Sequence, residues 1–173
     1  MNTTQNQKLV LSAICLALCM VLPFLTAQVP EIGNMLCPMH IPVLLCGFIC
    51  GPVWAAAVGC IAPVLRFMLF GMPPLFPTGI AMVFELAVYG LLCGILYRIL
   101  PKSKVNLYLS LLVAMLGGRI AWGIVRLFLS GVSGSAFTWA AFVSGAFTTA
   151  IPGMVLHIIL IPVIVMALEK ARK

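Results

Sequence analysis

The sequence predicts an all-α membrane protein: a single bundle of six transmembrane helices with both termini in the cytoplasm. Three observations carry that prediction. The 173 residues are 64% hydrophobic and only 8% charged, against roughly 25% charged in a soluble domain. The apolar residues fall in runs suited to crossing about 30 Å of hydrocarbon, separated by short segments bearing Pro, Gly or Lys. Outside those runs the positive charge gathers at three places: Lys8, the group Arg98, Lys102 and Lys104, and the tail Lys170, Arg172 and Lys173. That distribution places all three on one side of a bilayer.

The first span covers roughly 8–27. Its apolar run is long and no small-x-small site closes it, so it reads as a retained helix rather than a cleaved signal. A loop with Pro30, Glu31, Gly33 and Asn34 follows. The second span, roughly 38–50, opens with Pro38 and contains Met39, His40 and Pro42. It is short for a full crossing. Short or broken helices build solute sites, because their freed backbone groups must face protein or a cavity; alternatively Pro42 simply occupies a first turn, where proline is tolerated. Gly51-Pro52 makes a turn into the third span, roughly 53–70. The run Gly71-Met72-Pro73-Pro74-Leu75-Phe76-Pro77 is too rich in proline for a helix. The fourth span covers roughly 78–97, a polar link leads to the fifth, roughly 105–129, and the sixth covers roughly 137–168, interrupted by Gly145 and Pro152. An even number of spans returns the chain to its starting side. The loops on the opposite side, 28–37, 71–77 and 131–136, carry no Lys or Arg.

Several functions are excluded. The net charge of +7 follows the topology and forms no basic patch interleaved with aromatics, so it is no nucleic-acid signal. The seven cysteines include no CxxC pair, which argues against a zinc site or a disulfide framework. No HExxH, GxSxG or nucleotide-binding loop occurs. Any ATP-driven process would therefore need partner subunits.

Four charges stand inside the apolar runs: Arg66, Glu85, Arg119 and Arg126. Such charges are costly in a bilayer and are paired, turned inward or functional. Arg119 and Arg126 are seven residues apart with Trp122 between them, so the fifth helix presents guanidinium, indole and guanidinium on nearly one face. Arg66 lies about a turn from the proline loop, and Glu85 about two turns in, with Tyr89 one turn deeper. These depths are compatible with one buried cluster opening outward. Three arginines against one carboxylate favour an anionic solute, bound bidentately. In an alternative reading Arg66 and Arg126 snorkel to headgroups while Arg119 pairs with Glu85. His40 either donates to a ligand or caps a loop, and Trp139 either stacks on a ligand ring or joins the interfacial aromatic belt. His157 reads as deeper, in a packing or interhelical role.

The stretch Pro38-Met39-His40-Ile41-Pro42-Val43-Leu44-Leu45-Cys46-Gly47, the turn Gly51-Pro52 and the proline run 71–77 resemble the substrate-binding S components of energy-coupling factor (ECF) vitamin transporters. The resemblance covers nearly the whole chain. Ala13 and Ala17, a small-xxx-small pair on the first helix, match the alanine motif by which such proteins dock on a transmembrane coupling subunit. The resemblance implies the ECF S-component fold in a bacterial cytoplasmic membrane. It implies non-catalytic capture of a vitamin from outside, under loops carrying Glu31, Asn34, Met72, Pro73 and Pro74, and association with a coupling subunit and two ATPases. No cofactor or metal is expected. On charge alone pantothenate is the first candidate, with pyridoxine, a thiamine precursor, riboflavin or a deazapurine as rivals. Two other classes are weighed: an independent carrier, for which no repeat is apparent, and a lipid-phosphate enzyme with Glu85 and His40 as acid–base pair.

Overall fold

Alternation between long apolar runs and short breaks gives a helical bundle. The computed structural model describes residues 4–26, 35–133, 138–148 and 150–171, and every regular element among them is helical. Helix α1 (Gln5–Val21) starts with a reciprocal cap in which Thr4 Oγ accepts from the Gln7 amide and Gln7 Oε1 accepts from the Thr4 amide. It ends in a tighter turn, Leu22–Thr26. Helix α2 spans His40–Ile49 and α3 Pro52–Phe70. Proline at the first position of α3 is favourable, since its missing N–H has no helical partner to lose. A wide turn over Leu75–Gly79, non-helical at Phe76, leads into α4 (Ile80–Ile99). Helix α5 spans Lys104–Ser133. A short helix, Trp139–Val143, and a wide turn, Ser144–Thr148, precede α6 (Ile151–Ala171).

Five helical segments among the described residues are long and apolar enough to cross a membrane. The remaining numbered helix, α2, has only ten residues. At 1.5 Å per residue it is about 15 Å long, half a hydrocarbon core. It reads as apolar on all sides because it is enclosed on all sides: every residue from His40 to Phe48 is buried, and α1, α3, α4 and α6 pack around it. Pro42 falls in its first turn, where no amide is required. The expected sixth span, 137–168, is instead divided, with α6 beginning only at Ile151. Helix α5, at 30 residues, is about 45 Å long and overshoots the bilayer core.

The α3–α4 seam depends on residues that lack side chains. A Cβ added at Gly59 would lie 2.5 Å from the Leu86 carbonyl, one at Gly90 2.6 Å from the Ala55 carbonyl carbon, and one at Gly94 2.5 Å from the Pro52 nitrogen. In lipid the hydrophobic effect does not drive helices together, so close backbone approach supplies the contact. The seven cysteines are all free thiols; six are buried and Cys60 is exposed. Two donate across helices, Cys93 to the Leu44 carbonyl and Cys19 to the Met39 carbonyl, both at 3.6 Å.

Gly90→Ala should force α3 and α4 apart and lower stability by about 1–3 kcal/mol. Thermal unfolding of the detergent-purified protein measures this, and an unchanged midpoint would refute the tight seam.

Candidate functional site

Glu85 lies on α4 five residues from its start, and Arg119 lies midway along α5. Arg119 Nη1 meets Glu85 Oε1 at 2.9 Å, with both side chains buried. His40, the first residue of α2, brings Nε2 to 3.4 Å from the same oxygen. Because α2 is short, its N-terminal end opens inside the bundle, and its dipole adds partial positive charge beside the carboxylate. Tyr89, one turn after Glu85, presents its ring edge to the His40 ring at 5.2 Å. It fits there because α5 carries Gly118 at the contact, where an added Cβ would collide with the Tyr89 ring. From α6, His157 stacks on His40 with centroids 6.1 Å apart.

The segment before α2 closes this cluster. Cys37 is buried and its Sγ accepts from Arg119 Nη2 at 3.4 Å. Its φ of 47° places a residue with a side chain in the left-handed region, a conformation that costs of order 1–3 kcal/mol and gathers at functional sites. The segment is pressed onto α6 at Gly153, where a Cβ would stand 2.5 Å from the Met35 carbonyl oxygen. The cluster retains unused bonding capacity. Among the described residues, His40 Nδ1, His157 Nε2 and Arg119 Nε are buried without a hydrogen-bond partner, although buried polar atoms are nearly always satisfied.

Further along α5, the Arg126 guanidinium lies 5.8 Å from the Trp122 ring centroid. Phe142 stacks on Trp122 at 6.4 Å, and Trp139 contacts Phe142 at 5.2 Å while remaining 77% exposed. Gly145 allows this, since a Cβ there would come within 2.8 Å of the Trp122 indole. Arg126 lies about 10 Å along the helix from Arg119.

The structure thus joins His40, Glu85, Tyr89 and Arg119 in one cluster and Trp122, Arg126 and Trp139 in a second. Arg66 belongs to neither. It is buried, donates from Nη1 to the Met20 carbonyl at 2.9 Å and lies 5.7 and 5.3 Å from the Phe24 and Phe70 ring centroids. Ala13 and Ala17 lie on the exposed face of α1, opposite the buried Ser12, Cys15 and Cys19. In the proline loop Met72 and Pro74 are exposed and Pro73 is half-buried. Glu31 and Asn34 lie outside the described residues. Two cluster members, Cys37 and His157, are not apparent as site residues in the sequence. His157 counts as deep only if the last span begins near 137; with α6 starting at Ile151, it lies six residues in, at the level of Glu85. Cys37 sits beside Pro38 in a loop, and nothing in its spacing marks it.

A family model described as the substrate-specific component of ECF transporters matches residues 7–165. No curated protein and no solved structure gives a significant match.

Arg119→Met leaves the Glu85 carboxylate buried without its main counter-charge and should cost about 3–5 kcal/mol of stability. Adding Glu85→Gln should restore most of that loss. A double-mutant cycle on thermal unfolding measures the coupling, and simple additivity would show that the two residues do not act as a pair.

Proposed function

Because this chain belongs to the family of substrate-specific components of ECF transporters, matched over residues 7–165, we propose that it captures a small water-soluble vitamin or vitamin precursor, with pantothenate the first candidate. The observation that carries this reading is the buried polar cluster with open bonding capacity at Arg119 Nε, His40 Nδ1 and His157 Nε2. Leaving such atoms without partners costs about 1–3 kcal/mol each, a cost a polar solute offsets when it binds. Glu85 neutralises Arg119, but the partners of Arg66 are a carbonyl and two aromatic rings, none of which cancels its charge. This supports a cargo that carries negative charge. Arg119, His40 and Tyr89 would hold its polar groups, and Arg126 its anionic end. Arg66 would contribute long-range attraction from the wall.

A ring-bearing cargo such as pyridoxine, a thiamine precursor, riboflavin or a deazapurine is the second reading. It is favoured by the Trp122, Phe142 and Trp139 stack beside Arg126, since such a ledge accepts a planar group. In either case the protein performs no chemistry on its cargo and needs no cofactor. It resides in a bacterial cytoplasmic membrane with its termini inside, and the loops around 28–37 and 71–77 cover the site from outside. Uptake then depends on a transmembrane coupling subunit and two ATPases, docked through the face bearing Ala13 and Ala17.

Mass spectrometry of the molecule released from purified protein tests the capture role directly; protein that retains and binds no vitamin-like solute would overturn it. Arg126→Ala should weaken binding of an anionic cargo about tenfold to a hundredfold, and unchanged affinity would remove its role. Ala13→Trp and Ala17→Trp should leave solute binding intact while stopping uptake by the assembled transporter. If these variants fold but lose solute binding, the docking assignment fails.

A further inference from the structure

At the end of the bundle opposite the Glu85 cluster, a cavity lies between the end of α4, the start of α5 and the last turn of α6. It encloses about 380 Å³. Its floor is apolar, formed by Leu107 and Met166. Its wall is a half-buried clasp in which the Tyr97 hydroxyl donates to Glu169 Oε1. The rim carries Lys102, Lys104 and Lys170, all exposed. Lys102 Nζ is held 5.0 Å over the Tyr97 ring. The turn that bears it is fixed from both sides: Asn106 Nδ2 donates to the Pro101 carbonyl at 2.7 Å, and the Asn106 amide donates to Ser103 Oγ at 3.2 Å. Three ammonium groups thus face one carboxylate that is already engaged with a hydroxyl.

We propose that this cavity binds the phosphate-bearing headgroup of an anionic phospholipid. A topology signal needs lysines on the correct side, but it needs neither a cavity nor a fixed geometry. Here the cations converge on one concave site at the level where the spans end and headgroups begin. The combination of basic rim, hydroxyl wall and apolar floor matches a phosphodiester joined to glycerol and acyl chain. Basic pockets between helices at this level suit such headgroups. Ile99 and Val105, 73% and 74% exposed, flank the turn and give the acyl chains an apolar surface. The site lies at the opposite end from the cargo cluster, so its occupancy is independent of cargo identity.

The test uses delipidated full-length protein in neutral detergent, titrated with phosphatidylglycerol, phosphatidylcholine or inorganic phosphate. Native mass spectrometry and thermal shift provide the readouts. Phosphatidylglycerol should bind saturably and raise the unfolding midpoint, while phosphatidylcholine and millimolar phosphate should not. Each of Lys102→Gln, Lys104→Gln and Lys170→Gln should weaken that binding about fivefold, and the triple variant about a hundredfold. The corresponding triple arginine variant should retain it. A control variant, Lys8→Gln, removes one charge from a residue that does not line the cavity and should change little. Should the triple glutamine variant fail to purify, the single variants decide. Equal binding of phosphatidylcholine, equal loss in the control variant, or unaltered binding in the lysine variants would overturn the proposal. Equal stabilisation by inorganic phosphate would assign the site to the free ion instead. Cargo affinity measured in the same samples should not move, so failure here leaves the capture role standing and the reverse also holds.

Discussion

The ion pair between Glu85 and Arg119 is the constraint to which the rest of the site conforms. Taking both charges out of water is costly, and their attraction repays the cost only with good geometry and further bonds to the remaining atoms. Those further contacts come from three other parts of the chain: His40 at the start of α2, Cys37 in the segment before it, and His157 on α6, which stacks on His40. Such a pair adds little net stability, but it is unforgiving of misplacement. Four helices must therefore keep their mutual register if the charges are to remain matched. Rigidity of this kind suits a binding site, because the polar atoms aimed at a ligand are held in place before it arrives.

The short α2 follows from the same requirement. A helix that crossed the whole bilayer would carry its N-terminus to the surface and leave only side chains at the depth of Glu85. A ten-residue helix instead delivers a histidine and a helix terminus to the middle of the bundle. Enclosure by four other helices makes this tolerable, since the freed backbone groups meet protein rather than lipid. The strained φ at Cys37 sits where the chain must turn to enter that helix.

The class of fold was legible because lipid imposes its own length and charge rules on a sequence. Glu85 and Arg119 were legible as well, being charges in runs that otherwise reject them. Their pairing with each other, one of two readings open from the sequence, is what the structure contains. Arg66 has the same signature but a different setting, among a backbone carbonyl and two rings, because spacing along one helix does not tell which neighbouring helix a side chain meets. From the sequence His157 reads as deeper than it lies, because the break before Ile151 shifts the start of the last helix by four turns or so. The glycines at 59, 90 and 94 look like ordinary members of apolar helices until α3 and α4 are set side by side. The Tyr97–Glu169 clasp joins residues 72 positions apart, and no local pattern announces it.

The distribution of thiols has a practical consequence. Six of the seven are enclosed by protein, and the seventh, Cys60, sits midway along a helix long and apolar enough to cross a membrane. A polar reagent dissolved in the buffer enters neither a packed protein interior nor the hydrocarbon of a bilayer. Towards polar alkylating reagents in the surrounding buffer, the molecule therefore behaves as if it had no cysteine at all. A single cysteine engineered into a loop could carry a fluorophore or spin label on the native background, with none of the seven replaced.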